Sequence, residues 1–423
     1  MTDAGTIALH PDRSRDGSLY RGLAFLVGFL LPLLTLKTGY YGTPMDLASR
    51  VALVDLACVL LFALVVVRGS PASVPIPGAV YFCAIVLSLI PGLVFYPAQE
   101  SLAWTSFAAL VMAFLFYVLG LWVGRSPETT SALLAGVAVV TLLEAVVVFH
   151  DYFLPSQWFP DPMEGRARGT FKANGQLGAY GFCAAGLLLS LGPGLASRRL
   201  RILCVASGLI AATFVFTASR RTGMLCVFLW AALFAILAFR FRSRPFYRVF
   251  VGLLLALVAT MGVTWGAFSG SFAGRRLTEG ITSMMQSDGF IQSQHRAIVR
   301  SSEQWFPFGF GAGRGSRINP GDVGTHEVHN GLLAVLVELG VLGFLGFVAM
   351  VLRPIVRRTW TRGTGPVALR ETVVLSFILI CFVFMFHNTL YRDRTFLLFL
   401  GMATAVARSR ALPAAREREV AGE

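Results

Sequence analysis

Long apolar runs, separated by shorter polar stretches, make up most of this sequence. A transmembrane helix needs roughly 20 predominantly apolar residues, and twelve runs of the chain approach or exceed that length. Hydrophobic residues fill 56% of the 423 positions and charged residues only 14%, whereas soluble domains carry roughly 25% charged residues. We therefore predict an all-α integral membrane protein with about twelve transmembrane helices. The predicted spans are residues 22–38, 49–67, 75–96, 103–123, 129–150, 173–191, 201–217, 222–239, 249–268, 329–352, 368–386 and 394–408.

The placement of arginines predicts which side of the membrane each polar segment faces. Cytoplasmic loops are enriched in Lys and Arg, and five segments on one side of the twelve-span order carry arginine clusters. Both termini are therefore predicted to be cytoplasmic, at 1–21 and 409–423. A long periplasmic loop with short helices is predicted at 269–328, between the ninth and tenth spans of a single membrane domain (1–423). The clusters are Arg13, Arg15 and Arg21; Arg198, Arg199 and Arg201; Arg240, Arg242, Arg244 and Arg248; Arg353, Arg357, Arg358 and Arg362; and Arg408, Arg410, Arg416 and Arg418.

Several classes of partner and cofactor are disfavoured. The formal net charge of +14 comes from arginines that stand between apolar runs rather than in one polar domain, so we predict no nucleic-acid partner. The six cysteines lie within apolar runs and lack the paired spacing of zinc or redox sites. His326, Glu327 and His329 have the spacing H-E-x-H instead of the H-E-x-x-H of zinc proteases. We therefore predict neither a metal nor a cofactor.

Basic residues also occur in the predicted outward segments, where the positive-inside rule disfavours them. Arg220 and Arg221 stand in a short turn between two spans, and an arginine at a helix centre costs about 2.5–3.5 kcal/mol on insertion scales. Guanidinium groups suit phosphate and diphosphate, so this pair is a candidate anion site; the alternative is contact with lipid phosphates. The other outward basic residues are Arg166, Arg168, Lys172, Arg275, Arg276, Arg296, Arg300, Arg314, Arg317, Arg392 and Arg394.

Two further stretches carry candidate binding residues. Arg296 and Arg300 stand four positions apart, so a helix here would place both on one face. They either line an anion site or rest on lipid headgroups. The stretch RARGTFKANGQLGAYGF (166–182) places Arg168 and Lys172 just before a span. A glycine-rich helix start of this kind can hold an anion or a sugar.

Three carboxylates fall inside predicted spans, where ionisable residues are costly and are functional candidates by default. We predict that Asp55 and Glu144 form interhelical hydrogen bonds. Glu338 is nine residues beyond His329, so it points to roughly the opposite side of the helix. We therefore predict that Glu338 braces neighbouring helices and takes no part in a reaction.

The predicted span 329–352 begins with the most informative polar residue of the chain. His329 at the membrane rim can act as a neutral-pH base or as a hydrogen-bond donor, although a single histidine is more often structural. Further along, Gly340, Gly343 and Gly346 are predicted to permit close packing with other helices.

Four stretches of the chain match, in order and spacing, the motifs of one family of membrane enzymes. HNGLLAVLVELGVLGFLGF (329–347) is similar to a pattern of His-Asn, an apolar run, Glu-x-Gly and a later Gly. FPFGFGAG (306–313) resembles a turn of Pro followed by alternating glycines. RGTFKANGQLGAY (168–180) resembles a Gly-Thr-Phe helix start, with Ala-Asn-Gly in place of the usual Asn-Pro-Asn, and TASRR (217–221) matches a Ser-Arg signature. Together they resemble the O-antigen ligase and polymerase family of multi-spanning glycosyltransferases.

This resemblance implies a GT-C-like fold and a glycan donor carried on undecaprenyl diphosphate, at the periplasmic face of the bacterial inner membrane. It implies that Arg220 and Arg296 bind the diphosphate, and that His329 lies at the sugar-transfer centre. Arg221 is the alternative to Arg220, and Arg300 the alternative to Arg296, for the two arginine positions of the family. Further candidate substrate-binding residues are Arg168, Lys172, Asn174, Arg314 and Asn330.

The mechanism that this resemblance suggests is metal-independent displacement. An acceptor hydroxyl attacks the anomeric carbon while the lipid diphosphate leaves, and arginines stabilise the charge that develops on it. His329 takes the hydroxyl proton or orients the acceptor. The acceptor stays open: lipid A–core for a ligase, a growing chain for an O-antigen or exopolysaccharide polymerase, or a protein for O-glycosylation. A secondary transporter with Asp55 and Glu144 as ion sites is the alternative from another class.

Overall fold

The computed structural model of the protein describes most of the apolar runs and some of the segments between them. Within these residues the chain forms α-helices joined by turns and short 3-10 helices, without a β-strand. The predicted all-α class is therefore confirmed for the described part of the chain. The described residues are 16–32, 53–67, 73–94, 100–153, 167, 169–171, 174–218, 221–240, 306–312, 330–356, 366–385 and 390–409.

The described helices overlap the predicted spans. The span predicted at 249–268 lies outside the described residues, and the span predicted at 75–96 contains two helices separated by Ser88. The helices are α1 (Asp16–Leu30), α2 (Leu53–Val67), α3 (Ile76–Leu87), α4 (Leu89–Val94), α5 (Glu100–Val123), α6 (Pro127–Phe153), α7 (Asn174–Leu191), α8 (Arg198–Thr217), α9 (Arg221–Arg240), α10 (Gly331–Val356), α11 (Pro366–Met385) and α12 (Arg394–Ser409), with 3-10 turns at Gly192–Gly194 and Leu390–Arg392.

Six stretches of the described residues are long and apolar enough to cross a membrane. Shorter apolar helices occur within α1, α2, α9, α11 and α12. The protein therefore has the helices of a membrane protein, while the count of about twelve spans, the two cytoplasmic termini and the periplasmic loop at 269–328 stay predictions. The six stretches are Ile76–Val94, Ala103–Val123, Pro127–Phe153, Gln176–Gly194, Arg198–Thr217 and Gly331–Ile355.

Glycines allow pairs of these helices to approach at backbone distance, as small residues do at helix contacts in membranes. Between α5 and α12, a Cβ atom on Gly120 would lie 3.0 Å from the Cα atom of Gly401. Between α3 and α10, a Cβ atom on Gly346 would lie 2.8 Å from the backbone nitrogen of Tyr81. A larger residue at either glycine would push the two helices apart.

The two ends of the described bundle carry charge in different ways. At one end, the arginines at the start of α8 are exposed, and Arg21 of α1 approaches Glu128 at the start of α6 to 3.8 Å with both side chains exposed. Carboxylates nearer the other end are buried. The carboxylates at that end therefore need hydrogen-bond or ion-pair partners within the protein. The buried carboxylates, with their exposed fractions, are Asp55 (4%), Glu144 (2%), Asp151 (4%) and Glu338 (4%).

Candidate functional site

Most of the residues proposed from the sequence for substrate binding fall outside the described residues. Arg221 and Asn174 begin α9 and α7, and Asn330 immediately precedes α10. The structure therefore describes helix ends and loop segments that flank some of the candidate residues in the chain. The residues outside the described part are His329, Arg220, Arg296, Arg300, Arg168, Lys172 and Arg314, together with His326 and Glu327 of the H-E-x-H stretch.

The helix that follows His329 is broken in its first half. Gly340 has φ 69° and ψ −172°, which lies outside helical geometry. We call residues 306–312 the strap, because their backbone bonds to the groups that the break sets free. The N–H groups of Phe310 and Gly311 donate to the carbonyls of Val337 (2.7 Å) and Glu338 (3.1 Å). Broken helices occur in membranes only where the protein itself satisfies the freed backbone groups in this way.

The strap also bonds to the opposite side of the break and to the turn between α3 and α4. The N–H of Val341 donates to the carbonyl of Pro307 over 2.9 Å, and the N–H of Ala312 donates to the carbonyl of Ser88 over 3.3 Å. Ala312 is fully buried, whereas Phe308 is 80% exposed. The FPFGFGA part of the motif therefore crosses between α4 and the break in α10.

Glycine is required at the positions where strap and helix meet. Gly311 has φ 98° and Gly340 has φ 69°, in the left-handed region that side chains disfavour. A Cβ atom on Gly311 would lie 2.7 Å from the Cα atom of Gly92, and one on Gly340 would lie 2.6 Å from the carbonyl carbon of Phe308. The prediction that Gly340 permits close packing between helices is therefore wrong, because Gly340 packs against the strap. Gly340 breaks the helix, while Gly346 packs on α3 as predicted.

Glu338 lies immediately before the break and holds the turn between α11 and α12. Its Oε2 atom accepts a hydrogen bond from the hydroxyl of Tyr391 over 2.9 Å and pairs with the guanidinium of Arg392. The guanidinium also lies 5.1 Å from the centre of the Tyr391 ring, and the hydroxyl of Tyr81 in α3 donates to the Tyr391 carbonyl over 3.3 Å. Glu338 thus makes the bracing contact predicted from its position on the helix.

A second ion pair holds the start of α12. The Nη2 atom of Arg394 donates to Asp55 of α2 over 2.8 Å, which confirms the predicted interhelical bond for Asp55. Between the two arginines, Asp393 caps α12 by accepting from the N–H of Phe396 over 2.7 Å, and burial raises the pKa of the Asp393 carboxyl. Arg392 and Arg394 thus have protein carboxylates as partners, which accounts for their positions without a bound anion.

A third polar cluster fixes the segment before α7. Both carboxylate oxygens of Glu144 accept hydrogen bonds from Thr170, one from its N–H and one from its hydroxyl, each over 2.8 Å. The N–H of Gly169 donates to Asp151 over 3.1 Å, and the N–H of Ala167 donates to the carbonyl of Thr217 over 2.9 Å. The prediction that Glu144 bonds to another helix is therefore wrong, because its partner Thr170 belongs to the segment that connects α6 and α7. Through Ala167 this segment contacts Thr217, the last residue of α8, which stands three positions before Arg220 in the chain.

Asn330 caps α10. Its side-chain oxygen accepts from the N–H groups of Leu332 and Leu333, both over 3.1 Å, and so satisfies two backbone donors that the first helical turn leaves without partners. The residue proposed for substrate binding therefore has a structural role at the helix start, one position after His329.

Replacing Asn330 by alanine is expected to lower the free energy of unfolding by about 1 kcal/mol, the usual cost of losing such a cap. Equilibrium unfolding in mixed detergent micelles measures the change. Asn330→Ser keeps an oxygen acceptor at the cap position and should remain within a few tenths of a kcal/mol of the wild type. Equal stability of the alanine and serine variants would contradict the capping role.

Several residues of this framework have no sequence signal of their own. Thr170 stands within the Gly-Thr-Phe motif, but nothing in the sequence indicates that its partner is Glu144, 26 positions earlier. Tyr391 and Tyr81 are 310 positions apart, and neither belongs to a recognisable pattern. Only the folded chain brings them together.

No protein-family model matches the chain, and a search of curated proteins finds no match. The resemblance to the O-antigen ligase and polymerase family therefore depends on the four motif stretches and their order.

Proposed function

We propose that this protein is a membrane glycosyltransferase of the O-antigen ligase type, which transfers a glycan from undecaprenyl diphosphate to an acceptor hydroxyl. One observation carries the proposal: backbone hydrogen bonds bring the motif stretches that resemble this family next to one another in pairs. Ala167, immediately before the Gly-Thr-Phe stretch, bonds to Thr217, where the Ser-Arg stretch begins, and the strap bonds to residues on both sides of the break at Gly340 in α10. Stretches that are distant in sequence and that jointly resemble a family's site are expected to lie together in its members.

The distribution of charge supports the orientation that the proposal requires. Exposed arginines are found at the start of α8, the end predicted to face the cytoplasm. The buried carboxylates and the motif segments lie toward the other end, and there Glu338 and Asp55 neutralise Arg392 and Arg394. We propose that this end faces the periplasm of a bacterial inner membrane and meets a lipid-linked donor within the bilayer.

The proposed reaction is a displacement at the anomeric carbon of the first sugar. Arg220 and Arg296, with Arg221 and Arg300 as alternatives, stabilise the negative charge that grows on the departing diphosphate. His329 accepts the proton of the attacking hydroxyl, and the cap at Asn330, the next residue in the chain, fixes the start of α10. Diphosphate is itself a good leaving group, so the proposal includes neither a metal nor a cofactor.

Reconstitution of the purified protein tests the proposal and identifies the acceptor. Proteoliposomes receive a defined undecaprenyl-diphosphate glycan together with lipid A–core, or with a second lipid-linked repeat unit. Transfer to lipid A–core identifies a ligase, and lengthening of the carrier-linked chain identifies a polymerase. An Arg199→Ala variant, changed at the opposite end of the bundle, should match the wild type. A protein that transfers glycan to neither acceptor, nor to a protein acceptor, would refute the proposal.

A further inference from the structure

Helices α3 and α10 lie side by side and run in opposite directions. A Cβ atom on Gly346 of α10 would lie 2.8 Å from the backbone nitrogen of Tyr81 in α3, and one on Gly343 would lie 3.3 Å from the Cβ atom of Ala84. Contacts that come later in α3 therefore come earlier in α10, as in an antiparallel pair. Because α4 continues the apolar stretch that α3 begins, the end of α4 and the start of α10 lie at the same end of the bundle.

The strap meets these helices well inside their apolar stretches. It bonds to residues on both sides of Gly340, which is nine residues, or about 13 Å, beyond the start of the stretch Gly331–Ile355. It also bonds to Ser88, which is six residues, or about 9 Å, before the end of the stretch Ile76–Val94. Both stretches are long and apolar enough to cross a membrane. Two helices thus place the strap at a similar distance from one end of the bundle.

The strap itself suits an apolar environment. Its sequence FPFGFGA has no polar side chain, and Pro307 has no backbone N–H. The N–H groups of Phe310 and Gly311 donate to carbonyls of α10, and that of Ala312 donates to the turn between α3 and α4. The carbonyl of Pro307 accepts from α10. Irregular backbone occurs at membrane depth only where it is buried in protein or lines a water-filled cavity, and these bonds attach the strap backbone to the helices.

The outward side of the strap is aromatic and adjoins other apolar side chains. Phe306 is 61% exposed and Phe308 is 80% exposed. Ile90 of α4 and Leu342 of α10, which stand close in the chain to the bonded positions, are exposed as well. Large apolar side chains exposed in this way are unfavourable in water and favourable in hydrocarbon. The surface around the strap therefore fits a hydrocarbon chain.

We propose that the strap is a membrane-embedded segment whose Phe306 and Phe308 rings contact the acyl chains of the bilayer, about 10 Å inside the hydrocarbon region. The predicted periplasmic loop 269–328 then enters the membrane at the strap instead of lying wholly outside it. This inference goes beyond the proposed function and does not rest on it. It concerns the depth of one segment, which a protein without glycan transfer would show equally.

Nitroxide spin labels on the full-length protein in phosphatidylcholine liposomes test this depth. Of the six cysteines, Cys83 is exposed and the others are buried, so Phe308→Cys is labelled in a Cys83→Ser background. Oxygen concentrates in hydrocarbon, whereas a water-soluble nickel chelate stays outside, so the ratio of their collisions with the label reports its depth. We expect a depth of about 10 Å at Phe308, with a ratio several-fold higher than at the end of a helix.

Phe153→Cys is the matched control, labelled in the same background. Phe153 is the last residue of α6 and is 72% exposed, so its label should lie near the membrane surface. Arg199→Cys, exposed at the opposite end of the bundle, supplies the aqueous reference. A Phe308 ratio equal to that of Phe153 would place the strap at the surface, and one equal to that of Arg199 would place it in water. Either result overturns the inference. Phe306→Cys repeats the measurement on the second exposed ring of the strap.

Phe308→Asp provides a second readout that needs no label. A carboxylate is costly in hydrocarbon, so this variant should unfold at a clearly lower temperature than the wild type in the same liposomes. Phe153→Asp makes the same change at the end of a helix and should unfold close to the wild-type temperature. Equal unfolding temperatures of the two variants would contradict the embedded position of the strap.

Discussion

Replacing Glu338 by alanine is expected to lower the free energy of unfolding by about 3 kcal/mol, at the low end of the range for breaking a buried ion pair. The carboxylate side chain is 5% exposed and is the partner of both Arg392 and Tyr391. Without it, a guanidinium and a phenol hydroxyl lose their acceptor inside the protein. The Arg392 side chain is 25% exposed, so partial hydration limits the loss. Equilibrium unfolding in mixed micelles, followed by circular dichroism, measures the change.

Two control variants identify the cause of that loss. Glu128→Ala removes the same side chain from an exposed pair, whose partner Arg21 is 3.8 Å away, and surface pairs of this kind contribute little. The double variant Glu338→Leu/Arg392→Leu removes both charges together and should be more stable than Glu338→Ala, because no uncompensated charge remains buried. A Glu338→Ala variant as stable as Glu128→Ala would show that Glu338 does not hold the turn.

The positions of the helices could be predicted from the sequence because hydropathy is a local property. The span predicted at 129–150 lies within α6 (Pro127–Phe153), and the one predicted at 173–191 matches α7 (Asn174–Leu191). An apolar run in lipid forms a helix because a helix hydrogen-bonds its backbone polar groups within the segment. The limits of the helix therefore follow from the run's own residues. No knowledge of the neighbouring helices is needed for that step.

The break in α10 could not be predicted in the same way. An apolar run with glycines predicts a continuous helix with a close-packed face, and Gly346 behaves in that manner. Gly340 differs only because the strap supplies donors and an acceptor for the backbone groups that the break sets free. The strap comes from a separate stretch, more than 20 positions earlier, so the sequence around Gly340 holds no sign of its partner.

The partners of the buried charged residues could not be predicted from the sequence either. The sequence places Arg392 and Arg394 among the outward arginines that favour a bound anion, yet their partners are Glu338 and Asp55, which are 54 and 339 positions away. The costliness of buried ions predicts that partners exist, but the choice of partner depends on which helices become neighbours. The same reasoning applies to Glu144, whose bond to Thr170 follows from the path of a connecting segment.

Replacing His329 by alanine is expected to reduce glycan transfer by about 10²–10⁴-fold, the usual contribution of a general base. The loss should appear in kcat, because the proposed role of His329 is to take a proton from the acceptor hydroxyl in the transition state. Binding of undecaprenyl diphosphate should stay unchanged, since the proposed mechanism assigns that group to the arginines. Arg296→Ala should instead weaken donor binding. Transfer kinetics in proteoliposomes, together with equilibrium binding of the lipid, separate the two effects.

His326→Ala is the matched control, because it removes the same side chain three positions earlier in the chain. The proposed mechanism gives His326 no role, so this variant should transfer glycan at the wild-type rate. His329 is adjacent to Asn330, whose cap fixes the start of α10, and a loss caused by disturbance of that helix would also lower the stability of the protein. A His329→Ala protein that unfolds like the wild type and still transfers glycan at full rate would remove His329 from the mechanism. Full loss in both histidine variants would instead assign the effect to the predicted loop 269–328, which contains His326.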